Sequence, residues 1–264
     1  MKSAPNVAPR DTISAAIQSA VLQGRPALVG FLTAGFPTRL GFRDNLAAVA
    51  SVCDVVEIGV PFSDPMADGT TVQRASFAAL TGGVTLPWIL EELASLQERH
   101  RAPILLMSYL NPLLSVGLDA LPRAAAAAGV AGFIVPDLPF EESGDLKRAL
   151  ELEGLALVQM VTPVTPPERL AMLCREAKGF VYAVTMTGTT GKSAEVPLDV
   201  LEYMDRVKRC SSVPVCAGFG IRSREQIARF AGHVDGVVVG SALVEVLERG
   251  EDVGAFLRSL RETP

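Results

Sequence analysis

Eight short apolar segments, most of them followed by a longer segment of helical periodicity, constrain the fold of this chain more than any other feature. The apolar segments begin near Pro26, Asp54, Pro103, Ala131, Leu155, Gly179, Val213 and Val234. Runs such as residues 27–31 and 234–239 are almost continuously apolar, as is typical of parallel strands covered on both faces. Eight strands alternating with helices in 264 residues favour an α/β fold, a single (β/α)8 TIM barrel domain spanning residues 1–264, over an open doubly wound sheet.

The spacing between these strands indicates which face of the barrel carries the chemistry. Helices are predicted over residues 40–51, 85–100, 119–128, 141–152, 167–177, 198–210 and 223–231, with an extra helix over residues 11–22 at the barrel floor. The second and sixth strands are followed by extended loops, because the next strand starts 49 and 34 residues later, against 21 to 28 elsewhere. Loops after strands build the active face of such barrels.

Composition excludes several classes of partner. The net charge of -5, with scattered basic residues, offers no attractive field to nucleic acid or an anionic membrane. No uncharged apolar stretch approaches the ~20 residues that span a bilayer. The four cysteines and two histidines lack zinc-site spacing and predict buried thiols in a reducing compartment. We therefore expect a cytoplasmic protein without a metal.

Residues 57–69, EIGVPFSDPMADG, contain the most informative functional motif. Glu57 ends the second predicted strand, and Asp64 and Asp68 follow on a loop stiffened by prolines and glycines. A buried acid facing a second acid on a rigid loop suits general acid–base catalysis. The alternatives are a purely structural role for Glu57 and an Asx turn at Asp64.

Glycines after the last two strands predict an anion site. Gly218 and Gly220 follow the seventh strand, and Gly240 with Ser241 follows the eighth, each pair opening a helix. Backbone N–H groups at helix N-termini bind phosphate, and these two loops form the recurrent phosphate site of (β/α)8 enzymes. Either motif alone is equally consistent with a simple turn. Arg222 could assist, although we expect it at a solvated surface position.

Together these motifs resemble those of the tryptophan synthase α subunit family. The similar stretches are EIGVPFSDPMADG (57–69), FLTAGFP (31–37), MSYLNP (107–112), VPDLPFEE (135–142), GTTG (188–191), GFGI (218–221) and GSA (240–242). They run in order from the first strand to the eighth. The family cleaves indole-3-glycerol phosphate to indole and glyceraldehyde 3-phosphate in L-tryptophan biosynthesis, without a cofactor or a metal.

The resemblance implies roles for particular residues. Glu57 and Asp68 match the catalytic carboxyl groups. The implied substrate-binding residues are Phe31, Tyr109, Ile134, Tyr182, Thr190, Gly191, Phe219, Gly220, Val238, Gly240 and Ser241. Pro61, Asp64 and Asn111 match positions that meet the partner β subunit of an α2β2 complex.

Two loops depart from the common family pattern. Thr189 stands where many members have valine, and Thr70 stands where proline commonly follows the glycine. Gly188 and Gly191 still predict a lid over the site, with a plain surface loop as the alternative. A stand-alone lyase that releases indole for a secondary pathway therefore remains an alternative function. The others are a sugar-phosphate isomerase and a non-catalytic activator of a β subunit.

Overall fold

The computed structural model describes residues 7–96, 102–185, 198–218 and 220–261. The strands are β1 (Ala27–Thr33), β2 (Val55–Gly59), β3 (Ile104–Met107), β4 (Val130–Ile134), β5 (Ala156–Leu157), β6 (Gln159–Val161), β7 (Val181–Val184), β8 (Val215–Gly218) and β9 (Gly236–Val239). The helices are α1 (Pro9–Leu22), α2 (Phe42–Val52), α3 (Thr70–Thr81), α4 (Leu86–Ala94), α5 (Leu110–Val116), α6 (Leu121–Ala127), α7 (Gly144–Leu152), α8 (Pro167–Glu176), α9 (Leu198–Cys210), α10 (Arg224–Phe230), α11 (Ser241–Glu248) and α12 (Val253–Arg261), with a 3-10 turn at Phe140–Glu142.

The strands form a parallel barrel. The order is β5-β4-β3-β2-β1-β9-β8-β7-β6, so the first strand pairs with both the second and the last. Only Val158 separates β5 from β6, and these two pair with β4 and β7 respectively. They are therefore two parts of one fifth strand that changes neighbours, which confirms the predicted eight-stranded barrel. Every strand begins within two residues of its predicted start.

Two apolar layers hold the barrel together. Inward side chains such as Val29, Val55 and Leu105 fill its interior, and outward ones such as Leu28 and Val56 pack against the helices. Helix α1 closes the floor: its Ile13 and Ile17 belong to the interior cluster and are fully buried. The Ser14 hydroxyl also donates to the Gly179 carbonyl at 2.5 Å. The predicted floor helix is confirmed.

Most of the extra length after the second strand is helical. Residues 70–81, which we did not predict as helix, form α3 directly after the loop of residues 60–69 that carries Asp64 and Asp68, here called the carboxylate loop. Helices α5 and α12 were also missed. Most of the long loop after β7, residues 186–197, lies outside the described residues. No described helix has both the length and the apolar character needed to cross a membrane.

A charged cluster lies at the floor. Asp54 accepts hydrogen bonds from the Leu28 amide at 2.8 Å, from both terminal nitrogens of Arg25 at 2.7 and 2.8 Å, and from Arg261 at 2.6 Å. Burial would raise the pKa of Asp54, but these hydrogen bonds and the two positive charges hold it below its ordinary value. The cluster joins the start of β1, the start of β2 and the last helix.

Candidate active site

A cavity at the mouth of the barrel is lined by two of the three acids of the 57–69 motif, Glu57 and Asp68. Glu57 reaches it from β2, where it lies in register with Phe31 of β1. Asp68 reaches it from the loop between β2 and α3. The carboxyl ends of parallel strands share one edge, so residues far apart in sequence meet here.

Glu57 is buried and favours its protonated form. Its relative exposure is 1%, and its Oε2 atom has no hydrogen-bond partner among the described residues. Burial, together with the nearby charge of Asp68, raises its pKa to about 8. The group therefore carries a proton near neutral pH and can release it to a substrate atom.

Asp68 is held by its own loop and by Tyr109. The Tyr109 hydroxyl donates to Asp68 Oδ2 at 3.2 Å and accepts from the Ala67 amide at 2.8 Å. The Asp68 amide donates to the Pro65 carbonyl at 3.2 Å. Burial raises the pKa of Asp68 to about 6, while the Tyr109 hydrogen bond opposes that rise. Asp68 is therefore mainly ionised at neutral pH where Glu57 is mainly protonated, a separation that suits distinct acid–base roles.

An apolar slot lies beside the two acids. Phe31, Met107, Tyr182 and Val238 line it, and Phe31, Tyr182 and Val238 are less than a tenth exposed. Close packing fixes the rings: a Cβ atom added at Gly218 would lie 2.3 Å from the Tyr182 hydroxyl oxygen. Such a slot accepts a planar aromatic ring.

The opposite end of the cavity suits an anion. Helix α11 begins after Gly240, and its first N–H groups have no intrahelical partner by geometry. Gly240, Ser241 and Gly220 line this end, and Gly220 has a φ of +78°. Arg222 lines the cavity as well, and its side chain is 42% exposed, in agreement with the solvated position we expected.

Comparisons with known proteins agree with this geometry. The family model for the tryptophan synthase alpha chain matches residues 17–261. The chain belongs to this family. The tryptophan synthase alpha chain of Solidesulfovibrio magneticus is 47% identical over 246 residues, covering 93% of this chain and 96% of that protein.

Solved structures share the fold. A chain of tryptophan synthase from M. tuberculosis, in its aminoacrylate-bound form, superposes with a TM-score of 0.85 at 36% identity, covering 94% of this chain and 97% of that one. The tryptophan synthase A-subunit of Pyrococcus furiosus gives 0.81 at 35% identity, covering 89% and 96%.

In this member of the tryptophan synthase alpha chain family, the structure brings most of the predicted site residues into one cavity. Those lining the cavity are Phe31, Glu57, Asp68, Tyr182, Gly220, Val238, Gly240 and Ser241. Tyr109 contributes through Asp68. Ile134 is fully buried in the barrel interior and is not among the described lining residues. Thr190, Gly191 and Phe219 lie outside the described residues. The substrate contacts of all these residues stay predictions.

The predicted partner-binding positions divide by exposure. Asp64 and Asn111 are exposed, whereas Pro61 is buried. The Ser63 hydroxyl donates to Asp64 Oδ2 at 2.5 Å, and the neighbouring Met66 is 81% exposed. The carboxylate loop thus presents polar and apolar groups outward while Asp68 faces inward.

Five cavity residues were not predicted as site residues: Gly69, Thr70, Thr71, Val72 and Met107. Met107 ends β3 in register with Gly59, and the other four lie at the end of the loop after β2 and in the first turn of α3. Their positions at strand ends and in mouth loops are the only available signal. Among the described residues no three His, Cys, Asp or Glu side chains group as metal ligands, and the absence of a cofactor stays a prediction.

Proposed function

We propose that this chain cleaves indole-3-glycerol phosphate to indole and glyceraldehyde 3-phosphate, as the α subunit of tryptophan synthase in L-tryptophan biosynthesis. One observation carries the proposal: the protonated Glu57 and the ionised Asp68 line the same cavity. Membership of the tryptophan synthase alpha chain family supports it. The enzyme is a carbon–carbon lyase.

The two acids can carry a retro-aldol cleavage without a cofactor. Glu57 donates its proton to C3 of the indole ring, which places a positive charge on the ring nitrogen. Asp68 accepts a hydrogen bond from the ring N–H and stabilises that charge. The bond between C3 and the glycerol carbon then breaks, and its electron pair restores the aromatic ring. The hydroxyl on that carbon returns a proton to Glu57 as the aldehyde forms, so the carboxyl ends in its starting state.

The remaining cavity walls position the substrate. The slot formed by Phe31, Met107, Tyr182 and Val238 receives the indole ring. The phosphate binds the N–H groups at the start of α11 and beside Gly220, where the helix dipole favours negative charge. Binding both ends of the substrate holds its reacting carbon between the two acids.

We propose that the partner is a tryptophan synthase β subunit in an α2β2 complex. Exposed groups of the carboxylate loop, including Asp64, and Asn111 at the start of α5 supply the contact surface. This loop also carries Asp68, so binding there can influence catalysis. We place the complex in the cytoplasm. The comparisons do not favour a stand-alone lyase or a sugar-phosphate isomerase.

Indole release from purified chain and indole-3-glycerol phosphate tests the function. We expect indole formation by the wild type, stimulated by a β subunit. Glu57→Gln should abolish turnover but still bind substrate, because it keeps shape and loses the proton to be transferred. Glu151→Gln makes the same change at an exposed site on α7 and should retain wild-type turnover. Substantial turnover by Glu57→Gln, or none by the wild type with a β subunit, contradicts the proposal.

A further inference from the structure

Arg222 is held at the cavity wall by a paired hydrogen bond. Its Nη1 atom donates to Glu245 Oε2 at 2.7 Å, and its Nη2 atom donates to Glu245 Oε1 at 2.8 Å. Glu245 belongs to α11, whose N-terminus forms the anion end of the cavity. The pairing lowers the pKa of Glu245, which keeps that carboxylate ionised. Arg222 is thus attached to α11, the helix that begins at Ser241.

Glu245 is itself fixed by the helix next to it. The Thr71 hydroxyl, from the first turn of α3, donates to Glu245 Oε1 at 3.3 Å. One turn further along both helices, Arg74 pairs with Glu248 at 3.0 Å. These two links, three residues apart on each helix, set α3 against α11. The carboxylate that holds Arg222 is therefore also hydrogen-bonded to α3.

The guanidinium keeps donors for a second anion. Arginine has five N–H donors in a planar fork, and the pair with Glu245 uses two of them. The side chain lines the same cavity as Gly220, Gly240 and Ser241. It is partly exposed, at 42%, so the remaining donors are accessible.

We propose that Arg222 is a further substrate-binding residue, which contacts the phosphate of the substrate beside the backbone N–H groups of the α11 N-terminus. This inference rests on the proposed function and adds a side-chain cation to a site otherwise made of backbone donors. Charge-assisted hydrogen bonds to phosphate are stronger than neutral ones. Glu245 limits the rotamers of Arg222, so little ordering entropy is lost when the phosphate binds.

Binding of glycerol 3-phosphate and of indole, measured separately by calorimetry, tests this contact without relying on turnover. In Arg222→Met we expect the dissociation constant of glycerol 3-phosphate to rise about tenfold, the size of one charge-assisted hydrogen bond. Indole binding should not change, because the aromatic slot is untouched. In Arg222→Lys the loss should be smaller, because lysine keeps the charge but not the fork.

The matched control is Arg74→Met, which breaks the neighbouring link between the same helices away from the cavity. It should bind both ligands as the wild type does. For indole-3-glycerol phosphate cleavage, Arg222→Met should raise KM about tenfold and change kcat less than about threefold.

Wild-type binding of glycerol 3-phosphate by Arg222→Met would overturn the inference, as would an equal loss of indole binding, which indicates a general disturbance of the fold. Failure of the proposed function would give a different result, because the wild type would then release no indole at all.

Discussion

Replacing Glu57 by glutamine should stabilise the folded protein, and by an amount that grows with pH. Glu57 is buried and its pKa is raised from its ordinary 4.5 to about 8. Between those pH values the folded wild type holds a proton that the unfolded chain has lost. The contribution of Glu57 to the free energy of unfolding is therefore fully present below pH 4.5 and is lost as the pH rises from there through about 8. Glutamine stays neutral and has no such decline.

The pKa difference sets the magnitude. Each tenfold change in the proton equilibrium corresponds to about 1.36 kcal/mol, so the change from 4.5 to about 8 amounts to about 5 kcal/mol above pH 8. At pH 7 it amounts to about 3 kcal/mol. Between pH 5.5 and 7.5 the advantage of Glu57→Gln should grow by about 2 to 3 kcal/mol.

Urea unfolding of both proteins across this pH range measures the effect, because shared titrations cancel in the difference. Glu151→Gln, on an exposed face of α7, should differ from the wild type by a small and constant amount. Adding Asp68→Asn removes the negative charge that helps to raise the pKa of Glu57, so it should shrink the pH-dependent advantage. A difference between Glu57→Gln and wild type that stays flat from pH 5.5 to 7.5 would refute a buried, protonated Glu57.

Three further changes probe other parts of the molecule. Tyr109→Phe removes the hydrogen bond that opposes the raised pKa of Asp68. The acid limb of the pH–rate profile should therefore move to higher pH, and the cleavage rate at pH 6 should fall about threefold. An acid limb that does not move would show that Tyr109 has no effect on the pKa of Asp68. Gly240→Leu should raise KM about tenfold and change Tm little. A Cβ atom at this position lies an ordinary 3.8 Å from Phe31, whereas the longer leucine side chain fills the space proposed for the phosphate. Steady-state kinetics and thermal unfolding check this, and an unchanged KM would place the phosphate elsewhere. Asp54→Ala should lower the free energy of unfolding by about 3 kcal/mol at pH 7. The loss should be smaller at pH 3, because the pKa of Asp54 is lowered in the folded state and its stabilising contribution disappears as the carboxylate becomes protonated at low pH. Equal losses at both pH values, measured by urea unfolding, would contradict this account.

The strands were predictable because each is a compact apolar run whose two faces are both covered. Helices α3 and α12 were not predicted, although both are present. Helix α3 begins with Thr70-Thr-Val-Gln-Arg74, a polar start with β-branched residues and low intrinsic helix propensity. Packing against α11 supplies what local sequence lacks, and that neighbour is more than 150 residues away in the chain.

The candidate site divides in the same way. The motif at residues 57–69 identified Glu57 and Asp68, but only burial shows that their pKa values separate. Arg222 was expected at the surface and is 42% exposed there, but its pairing with Glu245, which lies 23 positions further along the chain, was not predictable. Contacts of this kind depend on how a loop and a distant helix meet in space, and no local pattern encodes them.

The charged cluster at Asp54 and the pairing of β1 with β9 have a consequence for when the barrel can close during synthesis. Arg261 binds a carboxylate 207 positions earlier in the chain, and the final strand pairs with the first. On the ribosome the barrel can therefore close only after β9 has emerged, and until then β1 has an unpaired edge. A nascent chain halted before β9 would carry both reactive carboxyl groups in a sheet whose first strand lacks one of its two neighbours.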